Sequence, residues 1–588
     1  MQRQFLILSS ADQAALDTLV MQSQRATGID QVAAGQGFAI LSRSIEDVLP
    51  IPAGRGFAVG TLFPKHGPAR SLSRAEPHAL DELVQADPMA CLRDRFWGGY
   101  VALLVDEGAL TLLRDPSGAM PCYRVPVVGG WAAASDVSLL VQAGLLKPHI
   151  AWQELPRYLA ARDLPAETTA IEHVRELLPG TWARMEAGAG KSGSFWSPWD
   201  HVSDDDWPGA QQMEEKLRRT VDHCVASWAS TTSSPLLTLS GGFDSSAVAA
   251  ALGATKKDFS CLTICTGGGL GDERHYARAM ADAVGAPLVE ENYDLADIDL
   301  SVSAARHFPK PIGQIHETAY HATAMRVAGA LKADAIFTGS GGDNVFYNSG
   351  SVRPLLDSLR ANGPGVAAFR TLRDLSNKLE VSKRAILWEA VRHHRQLTRP
   401  YSWQLNLELM TEGTRQSILA DPPSHSWLDD QRLSRPGKVG HIALLLRVQN
   451  HLEGYLRAFD MPLVNPLMSQ PIVELALSIP SWHMVEGGRD RALARKAYHN
   501  AMPPLIRDRR RKGSPSSFAI TLLRAKREEA RERLLDGELV RRGYIDKAAL
   551  ATALAEEPGV GLGYVRILGL LDMEVWIGHW RRLGADPD

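Results

Sequence analysis

Hydrophobic and polar positions divide the chain into two textures. Up to about residue 200, short apolar runs alternate with Gly and Pro. Gly56–Phe63, Gly99–Val105, Ala109–Leu113 and Trp131–Ala134 are examples, and this turn spacing predicts a β-rich unit. Residues 194–210, SFWSPWDHVSDDDWPGA, show no period and read as a linker. From about 211 the pattern changes. An amphipathic helix is predicted over 211–230, then a strand at 235–239 and a helix at 244–253. A strand at 259–266 precedes a helix at 272–284, and a strand at 335–338 precedes a second Gly turn at 339–342. Strands alternating with helices imply a doubly wound parallel sheet. Residues 350–588 read as mainly helical, with no internal repeat. The expected domains are 1–205 and 206–588.

Composition changes little. The 588 residues carry a net charge of −3 and 45% hydrophobic residues, which suits a globular protein and argues against a general polyanion binder such as a nucleic-acid protein. Five cysteines, Cys91, Cys122, Cys224, Cys261 and Cys265, are too few and too scattered for a disulfide framework. Cys261 and Cys265 lack a second Cys/His pair for a metal and read as buried thiols on a strand. The N-terminus has no long apolar core, and no run reaches ~18 apolar residues. The expectation is a cytoplasmic protein without a membrane span.

The chemistry begins where the 235–239 strand meets Ser240-Gly241-Gly242-Phe243-Asp244-Ser245-Ser246. A Gly turn entering a helix lets backbone N–H groups approach an oxyanion, and the helix N-terminus adds a positive dipole end. Ser240, Ser245 and Ser246 add hydroxyl donors. Asp244 suits Mg²⁺ shared with phosphate oxygens. Thr338-Gly339-Ser340-Gly341-Gly342-Asp343-Asn344-Val345-Phe346 follows another strand. In a parallel sheet both turns fall on the carboxyl edge, where ligands collect. Asp244 and Asp343 are therefore the expected metal ligands. The expected ligand-binding residues are Thr238, Ser240, Gly241, Gly242, Asp244, Ser245, Ser246, Ile264, Thr338 and Gly339. His316-Glu317, between the turns, is the candidate acid–base pair.

The first turn resembles the SGGxDS pyrophosphate loop of ATP pyrophosphatases, which cleave ATP between its α- and β-phosphates. The second resembles the corresponding segment of asparagine synthetases. Arg489–Ala497, Met502-Pro503-Pro504 and Arg509–Gly513 look like that family's late basic segment. By this resemblance Lys512 contacts the nucleotide phosphates and counts as both catalytic and cofactor-binding. Phe96–Leu104, Arg114–Tyr123 and Leu177–Gly180 look like the family's glutamine amidotransferase domain. The resemblance implies an Ntn-type α+β sandwich followed by an adenine nucleotide α-hydrolase-like domain, with ATP and Mg²⁺ as cofactors.

Two departures narrow the expectation. Gln2 stands where the amidotransferase nucleophile, a cysteine, is expected, which implies no glutaminase step. Ser340 replaces the Glu of asparagine synthetases and the Tyr of β-lactam synthetases, and a Ser is no base unaided. Lasso-peptide macrolactam synthetases share the missing cysteine and the string Gly-Gly-Asp-Asn-Val-Phe, which here is residues 341–346. Leu535–Asp546 also fits them. That likeness implies adenylation of an Asp or Glu side chain of a ribosomal precursor peptide, then attack by the peptide's own amine. It also implies a leader peptidase and a leader-recognition partner. A β-lactam synthetase-type ligase, an ammonia-dependent asparagine synthetase-type ligase and an inactive scaffold stay open. Trp388, Tyr401, Trp403 and Trp427 are candidates to line a peptide cavity, with a core role as the alternative.

Overall fold

The computed structural model describes residues 3–76, 80, 81, 87–185, 190–203, 208–266, 272–394, 401–429, 435–452, 460–510, 516–556 and 563–585. The first third forms two six-stranded antiparallel sheets. One runs Arg175–Glu176, Tyr123–Val127, Gly130–Ala134, Phe5–Ser10, Phe38–Ser42, Asp30–Gly35. The other runs Ser192–Ser194, Thr181–Met185, Ala109–Arg114, Phe96–Asp106, Gly56–Pro64, Val48–Ile51.

The sheets face each other through Phe5, Ile7, Ile40, Val101, Leu103 and Leu112. Their outer faces are covered too. Leu6, Leu8 and Leu41 share a core with Leu16 and Val20 of helix Gln13–Thr27 and with Trp576 of helix Gly563–Gly584. Tyr100, Ala102 and Leu113 share one with Val221 and Leu237 of the second half. This double cover explains why Phe5–Ser10 is buried at every position instead of alternating.

The second half is built on a five-stranded parallel sheet. Its order is Leu288–Asn292, Ser260–Cys265, Pro235–Thr238, Ala335–Phe337, Leu463–Val464. Leu236 pairs with Ser260 on one side and Ile336 on the other. The chain winds outward from Pro235–Thr238 in one direction, then returns to build Ala335–Phe337 on its opposite side. The boundary between these strands is thus a topological switch point, the place where such sheets bind ligands. Helices Ala210–Ala229, Phe243–Ala254 and Arg274–Val284 agree with the helical periods of the sequence. Cys261 and Cys265 are buried on their strand. Among the described residues no helix is long and apolar enough to cross a membrane.

The segment expected as a linker is a seam. Phe195, Trp196 and Trp199 are buried. Trp199 Nε1 donates to the Trp427 carbonyl at 2.7 Å, and Trp196 Nε1 to Glu474 at 3.0 Å. Lys65 also reaches Glu474, at 2.8 Å. The two indoles pack inward because their rings have large apolar area to hide and one polar atom each to satisfy. Trp403 and Trp427 are likewise buried, whereas Trp388 is exposed. Trp403 lines a cavity of about 470 Å³, beneath Arg447 at 4.7 Å from its ring centre.

Candidate active site

Strand Pro235–Thr238 runs through Leu239 into Ser240, and helix Phe243–Ala254 begins three residues after Ser240 with Gly242 as its cap. The helix is apolar on nearly all sides and buried to match. Its first turn, Asp244-Ser245-Ser246, is buried as well. Ser240 Oγ accepts from the Gly242 N–H at 3.3 Å and lies 3.2 Å from Ser245 Oγ.

The second turn interlocks with the first. A Cβ on Gly339 would stand 2.5 Å from Ser245 N, and one on Gly342 would stand 2.5 Å from the Asp244 carboxylate. At Gly339 backbone meets backbone, and at Gly342 backbone meets the Asp244 side chain, so neither position leaves room for a Cβ. Thr338 fixes the turn from below. Its hydroxyl donates to Asn465 Oδ1 at 2.6 Å and accepts from Ser340 N at 3.0 Å.

Between the turns lies a cavity of about 340 Å³. Thr238, Ser240, Gly242, Asp244, Ser245, Ile264, Thr338, Gly339, Ser340 and Asp343 all line it. Ser246 is fully buried behind it. Gly241 turns its backbone the other way: its carbonyl accepts from Arg509 at 3.0 Å. Lys512 lies outside the described residues. Of the chain flanking it, Arg509 also pairs with Glu273, and Phe518 stacks on Tyr293 of the cavity wall at 4.8 Å.

His316 and Glu317 are not brought to the cavity. They start helix Glu317–Leu331, and the residue of that helix that reaches the cavity is Tyr320, one turn on. Burial pushes the Glu317 carboxyl up to about 7, with Arg162 opposing. Burial pulls the His316 imidazole down to about 4, with Arg162 adding to the effect. A dry environment thus leaves His316 neutral at pH 7 and Glu317 about half protonated there.

Several residues at the site carried no assignment from sequence. Tyr293 and Tyr320 form part of the wall, and burial raises both phenols above their ordinary range, so each is an O–H donor at neutral pH. A helical reading from Glu317 would have put Tyr320 on that residue's face. Arg491, buried, donates to Asp244 Oδ2 at 2.9 Å and to Asp343 and Asp490. Nothing in the spacing of the chain marks it apart from its neighbours Arg489 and Arg495.

Mg²⁺ fits these side chains. Asp244 and Asp343 come from different turns and already converge on one cationic group. Among the described residues no group of three or more His, Cys, Asp or Glu side chains would hold a metal unaided. Two carboxylates beside a phosphate cradle are the usual protein share of a Mg²⁺ shell.

Comparison with known proteins agrees with this layout. A family model described as asparagine synthase matches residues 216–577, more than half of the chain. A second, described as a glutamine amidotransferase domain, matches residues 86–196. Two solved structures overlap parts of the chain. One is titled as the allosteric regulatory enzyme of purine biosynthesis, at 10% identity over 50% of this chain and 80% of that one, with a TM-score of 0.21. The other is a glutamine phosphoribosylpyrophosphate amidotransferase from B. subtilis complexed with ADP and GMP, at 9% identity over 58% of this chain and 91% of that one, with a TM-score of 0.20. Scores this low carry no argument. No curated protein matches. With a parallel sheet, two interlocked Gly turns and a preceding β sandwich matched in the same order, the chain belongs to the asparagine synthase family and carries an amidotransferase-like domain ahead of its ATP-pyrophosphatase fold.

Proposed function

We propose that this protein closes a macrolactam ring on a ribosomally made peptide, in the manner of lasso-peptide macrolactam synthetases. The observation that carries the reading is the second turn. Gly341–Phe346 spells that group's string, with Asp343 and Asn344 on the cavity and Ser340 where related ligases keep Glu or Tyr.

In this reading ATP lies across the two turns. N–H groups at the start of helix Phe243–Ala254 and the Ser240 and Ser245 hydroxyls donate to phosphate oxygens. Asp244 and Asp343 would hold Mg²⁺, which would offset phosphate charge. An Asp or Glu side-chain carboxylate of the peptide attacks the α-phosphorus, giving an acyl adenylate and pyrophosphate. The peptide's α-amine then attacks the acyl carbon, the amide forms, AMP leaves, and the amine loses a proton. Ser340 is too weak a base to take it. The protonated Tyr293 and Tyr320 are donors, so water or a phosphate oxygen accepts the proton. Holding amine and acyl adenylate together in one molecule supplies much of the rate.

Ammonia from glutamine has no place in this scheme. The nucleophile is the peptide's own amine, and all five cysteines are buried. Burial pushes the Cys122 thiol up to about 12. The reading brings with it a precursor peptide, a leader peptidase, a leader-recognition partner and a cytoplasmic setting.

The test is incubation with ATP, Mg²⁺, the precursor peptide encoded beside the gene and its peptidase. AMP together with loss of one water from the core peptide is the expected result. AMP formed only with a small β-amino acid, or only with aspartate and ammonia, would replace this reading by the corresponding small-molecule ligase. No AMP with any of them would indicate a scaffold.

A further inference from the structure

Beyond Gly242 and Asp343 a second cavity, of about 380 Å³, adjoins the first and shares those two residues with it. Helix Val366–Leu379, turn 348–350 and segments 488–495 and 506–510 wall it. Its charged lining is unbalanced. Lys378, Arg489, Arg491, Arg495, Arg509 and Arg510 line it with Asp343, Glu380 and Asp490, while Asp244 and Glu273, outside the lining, pair with Arg491 and Arg509.

The acids present are already engaged. Asp343 and Asp490 both accept from Arg491, and Asp490 also accepts from Arg495 at 3.1 Å. Donors remain unused: Arg491 Nε and Arg495 Nη1 are buried with no partner. Lys378 reaches in from the far wall, its ammonium donating to the Ser349 carbonyl. A carbonyl does not neutralise a cation, so the cavity calls for a multivalent anion. The polyanion generated next door is pyrophosphate.

We propose that Lys378 binds the pyrophosphate end of the nucleotide from the far wall of this cavity, as a positioning residue additional to the Gly turn and the late basic segment. The inference rests on the reading that ATP is cleaved between its α- and β-phosphates in the adjoining cavity. Helix Val366–Leu379 lies outside both Gly turns, so this contact is one that the motif residues do not supply. Burial also lowers the Lys378 ammonium to about 8, against the pull of Asp490. An incoming polyanion favours the charged form, so binding near pH 8 draws a proton onto this lysine.

Calorimetric titration of the full chain with inorganic pyrophosphate and Mg²⁺, and separately with AMP, tests this. Lys378→Ala is expected to weaken pyrophosphate binding about tenfold, the scale of a lost charge-assisted hydrogen bond, and to leave AMP unchanged. Lys378→Arg is expected to keep affinity. Titrations at pH 8 in two buffers of different ionisation heat should show more proton uptake for the wild type than for Lys378→Arg, a difference from which pyrophosphate's own protonation cancels. Unchanged pyrophosphate affinity in Lys378→Ala, an equal loss for AMP, or identical proton uptake in wild type and Lys378→Arg would overturn the proposal. A wild type that binds AMP and pyrophosphate while Lys378→Ala is unaltered overturns Lys378 alone. A wild type that binds neither overturns the nucleotide reading with it.

Discussion

Asp244 and Asp343 meet at a single donor: Nη2 of Arg491 gives one hydrogen bond to Asp244, at 2.9 Å, and another to Asp343. Two carboxylates from separate turns are thereby held facing one point. Each is expected to be indispensable. Asp244→Asn or Asp343→Asn should cut Mg²⁺-dependent AMP formation by about two orders of magnitude or more, the scale of a lost electrostatic contact to developing charge. Measuring AMP against Mg²⁺ concentration checks this, and recovery at high Mg²⁺ would place the defect in metal affinity.

The interlock of the two turns gives a second prediction. Gly342→Ala puts a methyl 2.5 Å from the Asp244 carboxylate. Overpacking of this kind costs about 1–3 kcal/mol. Thermal melting should fall accordingly, and ATP binding by calorimetry should be lost out of proportion, because the displaced group is the proposed metal ligand.

Glu317 supplies a pH prediction. Its folded-state value is raised to about 7 by burial, above the ordinary ~4.3 of an unfolded chain. The stability it contributes is full below the unfolded value and is lost as pH rises through the folded one. Between pH 4.5 and 7 this group therefore erodes stability by a few kcal/mol at most. Glu317→Gln should melt higher than wild type at pH 8 and show a flatter profile across that window. Differential scanning fluorimetry at a series of pH values decides it.

Thiol accessibility provides a fourth. All five cysteines are buried. Burial pushes Cys261 up to about 12, and Cys122 likewise. A disulfide-exchange reagent at pH 8 should find less than one fast-reacting thiol in the native protein and five in denaturant. A fast native thiol would contradict the burial.

How much of this was legible in the chain follows from what local pattern encodes. The strands at 235–238 and 335–337 and the turns after them were readable, because a short apolar run ending in Gly-Gly and a helix is a local signal. Tyr320 and Arg491 were not. Tyr320 arrives by helical phase from a residue that stays behind the wall. Arg491 arrives from 247 residues beyond its partner Asp244, at a left-handed backbone position with φ 51°. In the stretch read as a linker, 194–210, the packing of Trp196 and Trp199 in a core was not legible, because it depends on residues far along the chain such as Trp427 and Glu474.

That aromatic seam bears on what can be removed from this protein. Trp228, on the first helix of the second half, donates to Ser469 at 3.0 Å and packs edge-on to Phe63 of the sandwich at 5.0 Å. With Trp196 and Trp199 it makes the sandwich a covering layer for the ATP-handling half. A gene cut near residue 205 would strip that layer and present a broad oily face to water, inviting aggregation. Selection on the first half can thus persist through shape alone, whatever chemistry that half performs, and shortened versions of the enzyme should begin with resurfacing rather than with scissors.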